Sequence, residues 1–280
     1  MLDDLFSERQ GYTSFGNEVQ VESLNERTRN RIWNLVNHKL VSYKPEAYSG
    51  GYKYSNDFYR FAVFYWEEYK GRALDELPDP PDFAGLVKNF IQSEEWFEVF
   101  NILRASYESI GSQRERDKYI KSINRTFEKE NVQYRIVGGK ITRITDEEEI
   151  EEVETSLQSP LEGVRRHINE AIEMISDKQN PQYRNSIKES ISAVESLCKV
   201  IADHEHASLG TALDVVEEQV DLHGALRDGF GSLYGWTSQE DGIRHAMMEK
   251  PNVDFHDAKY MLVTCSAFIN YLTGKVEPRG

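Results

Sequence analysis

Apolar residues recur at helical spacing along most of the chain, and in one short stretch they alternate instead. Leu24, Ile32, Leu35, Val36 and Leu40 approximate a buried stripe, which predicts a helix from Leu24 to about Val41 with Ser23 as its cap. "SNDFYRFAVFYWEEYKG" (Ser55 to Gly71) opens on a cap candidate and closes on a glycine, so it reads as a second helix. Between the two, "KPEAYSGGYKY" is loop chemistry. "LPDPPD" (Leu77 to Asp82) breaks the pattern, because each proline disfavours helix at the residue before it. Helices are then predicted at 83–92, 94–110 and 113–130.

The period changes at "VQYRIVGGKITRIT" (Val132 to Thr145), which alternates on both sides of Gly138-Gly139 and predicts a β-hairpin. The acidic run "DEEEIEEVE" follows, and Ile150, Val153 and Leu157 are spaced for one face of a short connecting helix. Pro160 starts a second helical region with "LEGVRRHINEAIEMIS". Pro181 opens "PQYRNSIKESISAVESLCKVIADH". There Ile187, Ile191, Val194, Cys198 and Ile201 form an apolar face, and Asn185, Glu189, Ser192, Ser196 and Lys199 the opposite polar one. Shorter helices are predicted at 209–219 and 223–234. Thr237 and Glu240 have capping-box spacing, which starts a helix near Ser238. Asp254 can cap a last helix whose core face is Ala258, Met261, Leu262, Cys265, Phe268, Ile269 and Leu272. The expected architecture is mainly α: an N-terminal helical domain ending in a hairpin (1–145), an acidic connecting segment (146–158) and a helical bundle (159–280).

Composition narrows the class. The chain has 280 residues, 39% hydrophobic and 29% charged, which suits two globular domains. No apolar run approaches the roughly 20 residues of a membrane span. "MLDDLFSERQ" carries acids where a signal peptide needs a basic region. A cytoplasmic protein without membrane association is therefore expected. Cys198 and Cys265 both fall on apolar helix faces and fit buried thiols in a reducing compartment. The net charge of −15 argues against broad non-specific nucleic-acid binding. Much of it comes from the acidic run, while residues 1–145 are nearly neutral. Nucleic-acid chemistry would need a local site or a groove built by two chains.

The strongest candidate for chemistry is "DGIRHAMM" (Asp241 to Met248), where Arg244 and His245 are adjacent. Histidine exchanges protons near neutral pH, and arginine holds phosphate through charge-assisted bonds. Together they can cleave RNA without metal: the 2′-hydroxyl attacks the adjacent phosphate, His245 moves the proton and Arg244 stabilises the added negative charge. Helix geometry makes the pair awkward, because adjacent residues point about 100° apart. Convergence needs a helix end or a second chain; otherwise the pair is a surface arginine and a partly buried histidine. Asn185, Lys188 and Glu189 can support the pair if their helix packs beside it, or can form a solvated face. His204 and His206 in "ADHEHAS" read as a helix-terminating loop, His167 in "RRHINE" as a helix-surface residue, and no metal site is expected. Phe58, Tyr59, Phe61, Phe64, Tyr65 and Trp66 are able to stack bases, but at helical spacing they read as core.

"RNSIKESISAVESLCKVI", "GSLYGWTSQEDGIRHAMME" and "DFHDAKYMLVTCSAFINYL" together resemble the HEPN domain of AbiJ-type abortive-infection proteins. Upstream, "FSERQGY", "QVESLNERTRNRIWNLV" and "YRIVGGKITRITDEEEIEEVE" are similar to the N-terminal domain found fused to it. The resemblance implies a HEPN-type helical bundle that dimerises through its active-site face, and a metal-independent endoribonuclease toxin needing no cofactor. It implies Arg244 and His245 as the catalytic pair, with Asn185, Lys188 and Glu189 as supporting residues. The HEPN signature usually separates its arginine and histidine by several residues, whereas here they are adjacent; AbiJ-like relatives use the compact "GIRHA" form. The expected partners are RNA, a second copy of the chain, and a sensing or neutralising protein at the N-terminal domain. The competing expectation is a non-catalytic HEPN dimer that binds nucleic acid, a nucleotide or a partner protein.

Overall fold

The computed structural model describes residues 18–41, 55–177, 179–238 and 253–276. The chain divides into two compact units, Met1–Tyr134 and Arg135–Gly280.

The first unit is helical. Helix α1 (Glu26–Val36) continues as a π-helical stretch, Asn37–Val41. Its cap is Asn25, whose side chain accepts from Thr28 N at 2.9 Å, and not the expected Ser23. Asn25 is itself fixed by Gln20, whose side-chain oxygen accepts the Asn25 N–H at 2.8 Å, a contact no local pattern announces. Helix α2 (Asn56–Val63) is capped by Ser55 as expected, and the helical segment stops at Gly71, where φ is +62°. Helix α3 (Pro80–Ser93) starts three residues before the expected position. Pro80 and Pro81 occupy its first turn, where the missing N–H has no helical partner to lose. Helices α4 (Trp96–Glu108) and α5 (Gln113–Lys129) complete the unit. The aromatic run through α2 and the π-helical stretch that continues it (Phe64–Tyr69) is core in four of the six positions read from sequence: Phe58, Phe61, Tyr65 and Trp66 are buried. Phe83 receives three of them, with ring centroids 5.6, 6.0 and 5.5 Å from Phe58, Phe61 and Tyr65.

The second unit begins with the predicted hairpin. Strands β1 (Arg135–Val137) and β2 (Lys140–Thr142) pair antiparallel, with Ile136 opposite Ile141. Gly138 and Gly139 turn between them with φ of +56° and +76°. The compact units divide before Arg135, so the hairpin packs with the bundle, where Val137 and Ile144 join the core. The acidic run forms helix α6 (Glu147–Ser156), capped by Asp146, which accepts from Glu149 N at 3.0 Å. Glutamates in its first turn suit the positive end of the helix dipole.

The bundle proper is α7 (Glu162–Ser176), α8 (Tyr183–Ile201), α9 (Leu209–Gln219), α10 (Gly224–Ser238) and α11 (Phe255–Val276). Helix α8 packs against both α7 and α11, and the predicted core face of α11 is buried apart from the partly buried Phe268. Asp254 caps α11, accepting from His256 N at 2.7 Å. Thr237 lies inside α10, and its hydroxyl donates to the Tyr234 carbonyl at 2.8 Å; the helix expected from about Ser238 falls outside the described residues. Glu240 lies outside the described residues. Among the described residues, no helix is long and apolar enough to cross a membrane.

A Cβ on Gly138 would lie 3.0 Å from both Ile172 Cδ1 and Leu157 Cδ1, whereas one on Gly139 would meet nothing within 4 Å. Gly139→Ala is expected to cost about 1 kcal/mol, for left-handed backbone carrying a side chain. Gly138→Ala is expected to cost about 1–3 kcal/mol more, because the core must also shift. Urea denaturation of the two variants checks the order; equal losses would show that the turn does not press on α7.

Candidate functional site

The seam between α7 and α8 gathers small and polar residues. The helices run antiparallel: Gly163 lies against Ser196, His167 against Glu189 and Ala171 against Ser186. The three α7 residues are four apart and so share one face. Small side chains allow the approach. Ser186 Oγ donates to the Ala171 carbonyl at 2.8 Å, and a Cβ on Gly163 would lie 3.3 Å from Ser196 Oγ.

His167 occupies the middle of the seam. Its Nδ1 is 2.6 Å from Glu189 Oε2, and the two side chains are only 18% and 13% exposed. Its Nε2 is 3.2 Å from Arg166 Nη2. A guanidinium only donates, so Nε2 accepts; an ionised carboxylate only accepts, so Nδ1 donates. Both neighbours therefore select the neutral tautomer protonated at Nδ1, an assignment made from the hydrogen-bond network. Two further charges stand nearby. Glu170 Oε2 is 3.8 Å from Nδ1, and Lys188 Nζ is 4.0 Å from Glu189 Oε1.

Of the residues expected from sequence, Glu189 is thus drawn into a constructed arrangement, and the exposed Lys188 stands at its edge. Asn185 is exposed and donates to Gln182 Oε1 at 2.8 Å, one turn from Glu189. Arg244 and His245, with the whole of "DGIRHAMM", lie outside the described residues. His167 is not the plain helix-surface residue its sequence suggested. The missed signal was the "RRH" adjacency, the same Arg–His order as "IRHA", together with a carboxylate on the polar stripe of α8. The 100° divergence is overcome by the length of arginine: on α7 the adjacent guanidinium folds onto its neighbour's ring.

His167, Glu170 and Glu189 are ligand types, and their donor atoms lie within 4.8 Å of one another. Two ligands on one tetrahedral zinc stand about 3.3 Å apart, given metal–ligand bonds near 2.0–2.1 Å. The 2.6 Å between Nδ1 and Oε2 is instead a direct hydrogen bond, and Arg166 adds positive charge at the other ring nitrogen. The cluster as it stands is therefore a bonded imidazole–carboxylate pair. His204 and His206 are both exposed in the turn that ends α8, where Asp203 takes φ of +49°.

The thiols are poor nucleophiles. Cys198 and Cys265 are buried and free. Burial first, then Glu195, pushes the Cys198 thiol up to about 12. Burial alone raises Cys265.

Residues 4–159 match the model of the family described as AbiJ N-terminal domain 4, more than half of the chain. The match covers the first unit together with the hairpin and α6, and ends before α7. No curated protein and no solved structure matches the chain.

Two outcomes are expected. In a double-mutant cycle of His167→Ala and Glu189→Ala, read by urea denaturation, the pair should couple by about 1–2 kcal/mol, as hydrogen bonds to charged groups do; additive losses would mean the contact contributes nothing. Iodoacetamide at pH 8 should leave both cysteines unmodified in the native protein and label both in denaturant, since only the thiolate reacts. Rapid native labelling would show that one helix face opens.

Proposed function

This chain belongs to the AbiJ N-terminal domain 4 family, and on that premise we propose that it is a metal-independent endoribonuclease of an abortive-infection system. Family membership makes it an AbiJ-type protein and suggests abortive-infection defence. The ribonuclease, the HEPN character of its C-terminal bundle and the dimer belong to this proposal. Arg244 holds the phosphate and its developing charge, and His245 moves the proton of the attacking 2′-hydroxyl. Two copies face one RNA cleft, pooling local positive charge in an otherwise acidic protein. The N-terminal unit binds a sensing or neutralising partner.

The observation that best supports this reading is the seam of α7 and α8. Glu189, which the resemblance names as a supporting residue beside Arg244 and His245, orders the imidazole of His167 next to the Arg166 guanidinium. That is the type of support a metal-free site needs, since positioned side chains must supply what a metal otherwise would.

The wild type, Arg244→Ala and His245→Ala proteins, incubated with RNA in chelator, test the proposal. The wild type should cleave, leaving 2′,3′-cyclic phosphate and 5′-hydroxyl ends, and each variant should lose about 100-fold or more. Three proteins equally inert towards RNA and equally harmless to cells would overturn the enzyme and leave a non-catalytic binding dimer. Gel filtration at two concentrations should give a dimer; a strict monomer would remove the shared cleft.

A further inference from the structure

We propose that Arg166 and His167, with Glu189 behind them, form a second phosphodiester-handling site, separate in sequence from Arg244 and His245. The substrate class, RNA, rests on the ribonuclease reading above; the site itself rests on the geometry of α7 and α8.

Three features carry it. First, the tautomer is the one a general base needs. The ring nitrogen carrying the proton is turned to Glu189, and the nitrogen with the free electron pair is turned to exposed Arg166. Second, the carboxylate lies behind the imidazole in the half-buried seam. It fixes the ring's orientation and stabilises the imidazolium that forms when Nε2 takes a proton. Third, the anion-binding group and the proton acceptor share one place. Arg166 Nη2 lies 3.2 Å from Nε2, so a phosphate oxygen held by the guanidinium brings the neighbouring 2′-hydroxyl to the imidazole. Among the described residues, Glu170 on α7 and Lys188 on α8 also stand at the pair, one of each sign.

The reaction balances without a cofactor. As the bond from O2′ to phosphorus forms, the 2′-hydroxyl proton passes to His167 Nε2. As the bond from phosphorus to O5′ breaks, O5′ takes a proton from water. His167 then returns its proton to solvent, and the products are a 2′,3′-cyclic phosphate and a 5′-hydroxyl. Arg166 exchanges its bond to Nε2 for bonds to the phosphate. Glu189 touches no substrate atom and is a positioning residue.

The full chain is tested in chelator with an RNA oligonucleotide and with its 2′-O-methyl form, which has no 2′-hydroxyl to attack. Imidazole nitrogen resonances are followed by NMR, the His167 signals among the seven histidines being identified by their loss in His167→Ala. The methylated oligonucleotide should shift His167 Nε2, and Arg166→Ala should weaken its binding about tenfold or more. In the Arg244→Ala background, where the second site carries what cleavage is left, His167→Ala should cut that remainder about tenfold or more, well beyond its effect on binding; His167→Gln carries the same test if the alanine variant does not fold. In the same background Glu189→Ala should lower cleavage and alter the His167 Nδ1 resonance, and Glu189→Gln, which can still accept from Nδ1, should restore part of both, a rescue a merely structural role would not produce.

A wild type that cleaves RNA, with none of these substitutions changing binding or the remaining cleavage, would overturn this site and leave the proposed function standing. A wild type that cleaves no RNA but still shows the Nε2 shift would leave Arg166 and His167 as a phosphate-binding site, and would overturn both the proposed enzyme and the cleavage step written for His167. Zinc added without chelator that shifts Nδ1, with no response to either oligonucleotide, would overturn the site in favour of a metal cluster.

Discussion

The close seam of α7 and α8 is the constraint on which the second unit depends. Gly163, Ala171, Ser186 and Ser196 are small enough for the two helices to approach, and the approach brings His167 within hydrogen-bond distance of Glu189. Helix α8 is held on its other side by α11. α11 in turn holds the acidic helix α6, through Lys259 on Glu149, Asn270 on Glu152 and Ser266 on Ser156. A run of seven acids that looks like a solvated linker is therefore a docked helix. Its inward residues are the apolar Val153, Ile150 and Leu157, which pack on the core, and three polar groups with partners on α11, while much of its charge stays in solvent, where it costs little.

Two carboxylates in this chain illustrate how burial separates a fastening from a reactive group. Glu130 is fully buried, and one of its oxygens accepts from both Arg27 Nε at 3.1 Å and Arg31 Nε at 2.6 Å. Its backbone carbonyl accepts from Gln20, so the residue fastens the segment before α1 to the end of α5. Two guanidinium groups close around one buried carboxylate and leave a substrate no access. Glu189 is bonded instead to a histidine, the side chain whose charge changes near neutral pH. Glu189 stays partly exposed and positions an imidazole, whereas Glu130 is closed off.

What the sequence revealed follows the range of the interactions involved. Periodicity located most helices because it reports a single face meeting a core, and Gly138-Gly139 announced the hairpin because two left-handed residues in succession favour glycine. Capping was legible where the partner was local, as at Ser55 and Asp254. It failed at Ser23, because Gln20 fixes Asn25 from outside the helix. That Val137 packs in the bundle was illegible, because its neighbours lie far along the chain. The site divides in the same way. Glu189 was visible as part of a polar stripe, but its partner was not, since 22 residues and a helix reversal separate it from His167. Nothing in "RRHINE" alone distinguishes a histidine facing solvent from one facing a carboxylate.

The adjacency of arginine and histidine, which looked like an obstacle, has a physical resolution on α7. Neighbouring side chains leave a helix about 100° apart, which would separate two short groups. Arginine is long, and its planar fork can fold along the helix surface to the next ring. The histidine stays fixed by a bond from the far side, so the arginine is the member that adapts. An arrangement in which one member is pinned and the other reaches does not need several residues of spacing. It needs a carboxylate behind the imidazole, from a second helix packed closely enough to deliver it. On α7 that helix is α8, and the small residues of their seam are what bring it there.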